Sequence, residues 1–113
     1  MKQILLNVLN TFGYPVFLQG SLGENDPFPP AFFTFYINDS ADISFDNTDE
    51  YCTYQMQVIF YAADPMTVES IAEQSRTALK AAGFIPNGRG TDIPSEEPTH
   101  TGWVCEYSYI KEV

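Results

Sequence analysis

Apolar residues recur at helical spacing in two stretches of this chain and alternate with polar ones in several others. Ile4, Leu5, Val8, Leu9 and Phe12 fall on one side of a 3.6-residue period. Residues 2–11 therefore read as a short amphipathic helix, with Gly13 placed as its C-terminal stop. A second helix is written more fully. Asp64 is suited to cap it and Pro65 to its first position, where a missing N–H costs nothing. Val68, Ile71, Ala72, Ser75, Ala78, Leu79 and Ala82 then form one stripe. Small residues dominate that stripe, so the helix can lie close on a sheet. Glu69 and Glu73 come early and Arg76 and Lys80 late, as the helix dipole favours. Gly83 suits a left-handed stop, with Phe84 folding back on Leu79 in a Schellman ending.

The remaining runs read as strands. Tyr14–Gln19 is β-rich, and Pro15 near its start marks it as an edge strand. Phe32–Asn38 is a strand by propensity, and Ile43–Phe45 is an apolar patch able to hold a small one. Tyr51–Ala62 is the longest strand. It sets Tyr54, Met56, Val58 and Phe60 on one face and Thr53, Gln55 and Gln57 on the other, a half-buried pattern that leaves one face for water or a partner. Phe84–Pro86 is a short extended piece. Trp103–Ile110 closes the chain, with Val104, Glu106 and Ser108 opposite Trp103, Cys105, Tyr107 and Tyr109. Residues 20–30, 39–50 and 87–101 read as loops. The expectation is one α+β domain over residues 1–113, in the order α-β-β-β-α-(β)-β. Its antiparallel sheet would have about four to five strands, with two helices packed on it.

Charge sharpens this picture. The 113 residues carry 15 acids against 5 Lys and Arg, a formal net charge of -10. Glu24, Asp26, Asp39, Asp42, Asp46, Asp49 and Glu50 fall in residues 24–50 without one base, whereas residues 51–91 are balanced. Residues 92–113 add five acids against Lys111. The acidity thus reads as belonging to loops on a nearly neutral scaffold. So few cations argue against a surface that reads DNA or RNA, and against docking on anionic membranes. At 44% apolar and 15% aromatic residues the chain is too rich to be disordered. No run reaches the length of a membrane span, and Asn7 and Asn10 interrupt the N-terminal apolar run, so no signal peptide is expected. A cytosolic location with reduced thiols is expected. A Cys52–Cys105 bridge stays open, because both cysteines fall in strand-like runs that could be neighbours.

Little in the sequence points to catalysis. One histidine and two cysteines lack the spacing of a zinc site, and no nucleophile elbow, phosphate-binding loop or dinucleotide fingerprint is present. No cofactor is implied. His100 reads as a solvated loop residue. A Cys105–His100 nucleophile pair is outweighed by the ordinary reading of a strand cysteine as a small buried hydrophobe. Asn87-Gly88-Arg89-Gly90 could cradle an anion with help from Arg89, but a tight turn is the favoured reading. The carboxylates Asp46, Asp49 and Glu50, and Asp92, Glu96 and Glu97, read as solvated loop acids before acid–base or cation-binding groups.

One stretch carries a resemblance. It runs from Tyr61-Ala62-Ala63-Asp64-Pro65 through a helix ending Leu79-Lys80-Ala81-Ala82-Gly83-Phe84. It continues as Ile85-Pro86-Asn87-Gly88-Arg89-Gly90-Thr91-Asp92-Ile93-Pro94-Ser95-Glu96-Glu97-Pro98-Thr99-His100-Thr101-Gly102-Trp103. Together with Phe28–Tyr36 it resembles the small tail-terminator, or tail-to-head joining, proteins of long-tailed phages and prophages. The resemblance spans about residues 28–110 and is most specific from Leu79 to Trp103. Cys52 and Cys105 lie outside the pattern. The resemblance implies an α+β fold and a structural rather than catalytic virion protein. It also implies a hexameric ring that caps the tail tube and meets the head connector, with assembly in the cytoplasm and a final place in the virion tail. On that reading Asp39, Asp42, Asp46, Asp49, Glu50, Arg89, Asp92, Glu96 and Glu97 are candidates for the subunit, tube or lumen surface. Aromatics on Tyr14–Gln19 and Trp103–Ile110, taken as edge strands, would be covered by ring formation. Two other classes fit the composition less well. One is an acidic DNA mimic that inhibits a nucleic-acid enzyme; the other is a small enzyme working through the Asp92–Glu97 carboxylates.

Overall fold

The computed structural model describes residues 2–18, 29–43, 51–94 and 100–112. The elements are α1 (Lys2–Asn10), β1 (Val16–Leu18), β2 (Ala31–Ile43), β3 (Tyr51–Ala62), α2 (Pro65–Ala81), β4 (Ile85–Pro86), β5 (Thr91–Pro94) and β6 (Thr101–Glu112). The fold is α+β, with two helices and a mixed sheet of six strands. Strand order is β1-β2-β3-β6-β4, and β5 also pairs with β6.

The local features written in the sequence are present. Asp64 caps α2 by accepting the Met66 N–H at 3.1 Å and the Thr67 hydroxyl at 2.9 Å. At the other end the Phe84 N–H donates to the Leu79 carbonyl at 3.0 Å and the Gly83 N–H to the Lys80 carbonyl at 3.2 Å. Gly83 has φ 101°. Those two bonds complete a Schellman motif, and its apolar partners Leu79 and Phe84 are both buried. The α2 stripe faces the sheet through Val68, Ser75 and Leu79. Ser75 satisfies its hydroxyl by donating back to the Ala72 carbonyl at 2.9 Å, so a polar residue sits in the interface without an orphan group.

The core lies between the helices and one face of the sheet. Leu5 and Leu9 from α1 and Val68 and Leu79 from α2 meet Phe33, Phe35, Met56, Val58, Phe60, Cys105 and Tyr107. Phe33 and Phe60 pack with ring centroids 4.7 Å apart, and Tyr14 leans edge-on against Phe60 at 5.2 Å.

Three expectations are corrected. The sheet is mixed, because β1 pairs parallel to β2, with Val16 opposite Phe33. The residues between Leu18 and Ala31 number about a dozen, the length a parallel crossover needs, whereas a hairpin would need only a few. Second, β6 is not an edge strand. It pairs with β3 along its whole length and is flanked on the other side by β4 and β5, so its aromatics are not exposed; Tyr107 is fully buried. Third, part of the expected loop at 87–101 is the strand β5, and β2 runs on to Ile43 through the expected acidic loop. The apolar patch expected as a small strand at Ile43–Phe45 is therefore, at Ile43, the end of β2; its other residues lie outside the described ones.

The register also decides the cysteine question. Cys52 is opposite Lys111 in β6, whereas Cys105 is opposite Val58 in β3. Six residues of strand separate the two positions, about 20 Å, far beyond the reach of a disulfide. Cys105 is a free, buried thiol.

Candidate interaction surface

Strand alternation gives the sheet two unlike faces. The row Phe35, Val58 and Cys105 is buried against the helices. One residue along, the row Tyr36, Gln57 and Glu106 is turned the opposite way. Tyr36, Gln55, Gln57 and Glu106, with Met56 beneath, line an open cleft of about 350 Å³. Tyr36 is 53% exposed. Beside the cleft the Ser108 hydroxyl donates to Gln55 Oε1 at 3.0 Å, and Asn87 Nδ2 donates to Ser108 Oγ at 3.3 Å. These bonds tie β3, β6 and the turn after β4 into one polar patch. The patch presents amides, a phenol and one carboxylate to solvent, groups suited to polar contact.

Towards the β1 end the same face turns apolar. Phe32 stacks on Tyr61 with centroids 5.1 Å apart, and Phe17 meets Phe32 edge-on at 5.9 Å. His100 belongs to this cluster. Its Nε2 lies 2.8 Å from the Pro29 carbonyl, which fixes Nε2 as the donor, and its ring meets Phe32 edge-on. The expected solvated loop histidine is in fact half-buried. A Cys105–His100 pair is excluded, because five residues of β6 separate them and odd spacing puts them on opposite faces. Burial pushes the Cys105 thiol up, only partly offset by its hydrogen bond with Tyr107, so the thiol is held neutral. Burial, and then the bond with Cys105, pushes the Tyr107 phenol up strongly.

Of the acidic candidates, Asp39, Asp42 and Asp92 lie among the described residues, and Asp92 is far from the other two. Asp39 and Asp42 are strand residues near the end of β2, on either side of or within the irregularity between Asn38 and Asp42. Asp92 is exposed on β5, opposite Trp103. Asp42 pairs with Thr53, and Asp92 is opposite Trp103, which pairs with Phe60, so seven residues of β3, more than about 20 Å, separate Asp42 from Asp92. Asp46, Asp49, Glu50, Glu96 and Glu97 lie outside the described residues. No group of three or more His, Cys, Asp or Glu is placed to hold a metal among the described residues.

Arg89 is exposed in the turn between β4 and β5. The turn is structural. Arg76 Nε donates to the Gly88 carbonyl at 3.2 Å, and the Trp103 indole N–H donates to the Arg89 carbonyl at 3.1 Å. Gly88 and Gly90 have φ of 93° and 92°. The polar patch of Tyr36, Gln55, Gln57, Glu106 and Ser108 was not singled out from the sequence as a site. Its signal was the polar half of the alternation in β3 and β6, which becomes a patch only when the register aligns the two strands.

Among the described residues no helix is long and apolar enough to cross a membrane. Comparison with models of protein families and with curated proteins finds no match to this chain.

Proposed function

We propose that this chain is a structural protein of a long-tailed phage or prophage, a tail terminator that caps the tail tube as a ring and joins it to the head connector. The observation that carries the reading is the length of the three central strands. β2, β3 and β6 run side by side as one ribbon to Ile43, Tyr51 and Glu112, and Asp39 and Asp42 lie on it. A long three-stranded ribbon with acidic residues, beside a polar sheet face, suits a subunit that meets copies of itself and neighbouring tail proteins. Carboxylates on such a ribbon would let DNA pass without adhering, since like charges repel. The sequence resemblance from Leu79 to Trp103 supplies the family, the ring of six and the partners.

The test is electron microscopy of tails from a phage or prophage lacking this chain. Overlong tails, or tails of normal length without heads, are the expected result. Normal virions would sink the proposal. Asp→Asn and Glu→Gln changes at Asp39, Asp42, Asp46, Asp49 and Glu50 test the role of charge; unchanged tail length and DNA delivery would refute it.

A further inference from the structure

The polar patch on the open sheet face divides into a part satisfied within the chain and a part that is not. Asn87 Nδ2 donates to Ser108 Oγ, and Ser108 donates to Gln55 Oε1, so these three side chains serve one another. The neighbouring row is Tyr36, Gln57 and Glu106, set side by side across β2, β3 and β6. Among the described residues their side chains make no hydrogen bond or ion pair. All three line the open cleft of about 350 Å³, a volume within the range of ligand and anchor pockets. Strand pairing holds neighbouring Cβ atoms of such a row about 5 Å apart, so Gln57 has the phenol on one side and the carboxylate on the other.

We propose that this row seats an arginine of a partner protein, with apolar side chains flanking that arginine. Glu106 is the one charge of the row and has no counter-ion, and a net charge of -10 disfavours any anionic occupant. A planar guanidinium over Gln57 serves all three side chains. Glu106 accepts from its fork of N–H groups, Gln57 Oε1 accepts a further N–H, and the Tyr36 ring offers its negative face. An ammonium would use the carboxylate but lacks the flat surface that stacks on a ring. Two isoleucines select a protein over a free cation. Ile85 is opposite Ser108, and Ile110 lies two residues further along β6, so both share the open face with the row. They are 49% and 53% exposed. A charged anchor beside exposed apolar side chains is the make-up of a protein interface, and the isoleucines would gain nothing from a free polyamine. A second copy of this chain does not supply the occupant. Of its two arginines, Arg76 is tied to the Gly88 carbonyl, and Arg89 stands between Gly88 and Gly90 with no apolar flank. The seat is present whether or not the chain caps a tail tube.

The experiment is an NMR titration of the full 15N-labelled chain with an acetylated, amidated leucine–arginine–leucine tripeptide at millimolar concentration. The expected result is shifts at the Tyr36, Gln57 and Glu106 amides and at the Gln57 side-chain amide. Citrulline in place of the peptide's arginine, or Glu106→Gln in the chain, should weaken binding roughly two- to fivefold, the worth of one exposed ion pair. Tyr36→Ala should weaken it by about the same factor, and Glu73→Gln, exposed on α2, should leave it unchanged. Tyr36, Glu106 and Glu73 are all exposed, so the variants keep the fold, which their spectra away from the row verify. No shift at the row, or equal binding of the citrulline peptide, overturns the guanidinium seat. Spermidine or a glycine–arginine–glycine peptide binding as tightly overturns the protein partner in favour of a free cation. Shifts at the row as the chain alone is concentrated would make a second copy the occupant and overturn the proposal equally. Microscopy of tails reads the tail-terminator role separately, so either reading can fail alone.

Discussion

Gly83, Gly88 and Gly90 all have positive φ and differ in what surrounds them, which makes the packing of the β4–β5 turn measurable. Gly83, Gly88 and Gly90 have φ of 101°, 93° and 92°. Alanine at any of them pays the left-handed penalty of about 1–2 kcal/mol. At Gly88 an added Cβ meets nothing within 4 Å, and at Gly83 it meets only the Tyr109 ring at 3.7 Å. At Gly90 it would collide with the Trp103 indole and lie 2.5 Å from the Val104 carbonyl oxygen. Neither neighbour is free to yield. The indole N–H is bonded to the Arg89 carbonyl at 3.1 Å, and Val104 is paired with Thr91 in the ladder. Relief requires β5 to move off β6, a displacement worth a further ~1–3 kcal/mol. Gly88→Ala and Gly83→Ala should therefore lose about 1–2 kcal/mol, and Gly90→Ala about 2–5 kcal/mol. Urea titration followed by tryptophan fluorescence reads all three, since Trp103 is the sole tryptophan and touches the turn. With a urea slope of about 1–3 kcal/mol/M, the Gly90 midpoint should fall below the Gly88 midpoint by roughly 1 M. Equal midpoints for Gly90→Ala and Gly88→Ala would refute the packing argument while leaving the φ argument intact.

Other perturbations test the remaining links. Leu79→Ala empties a fully buried site that also closes the Schellman motif, and should cost about 2–5 kcal/mol by denaturant titration. Asp64→Ala removes the acceptor of both capping bonds and should cost about 1 kcal/mol, with Asp64→Asn recovering most of it. Alkaline pH should destabilise the fold through Tyr107. Its folded pKa is raised above the ordinary 10.0, so its contribution is fully present below pH 10 and is lost as pH rises beyond it, where only the unfolded chain ionises. Tyr107→Phe should flatten the fall in stability above pH 10, seen in urea midpoints across pH, and an unchanged fall would assign it to other groups.

The elements that could be read from the chain were those fixed by neighbours in sequence. The span of β3 and its faces followed from strict alternation, and both ends of α2 followed from Asp64, Pro65, Gly83 and Phe84. β5 could not be read, because Thr91–Pro94 is too short to alternate and holds a proline. The charge pattern was read correctly as segmental but assigned to loops, although Asp39, Asp42 and Asp92 stand on strands. Acidic residues are depleted from strands on average, and Asp92 departs from that average on a short strand that pairs only with β6 among the described residues.

By itself the sequence determined the helices, their caps, the main strands, the inward face of each, and an acidic balance that disfavours nucleic-acid readout. Those properties depend on periods of 3.6 and 2 and on capping chemistry, which act over a few residues. Only the tertiary structure decided that β1 runs parallel, that β6 lies inside the sheet, that the cysteines stand far apart, and that Asp42 and Asp92 stand far apart. Strand order and register are set by which apolar faces bury together across the whole chain, and no local pattern carries that choice.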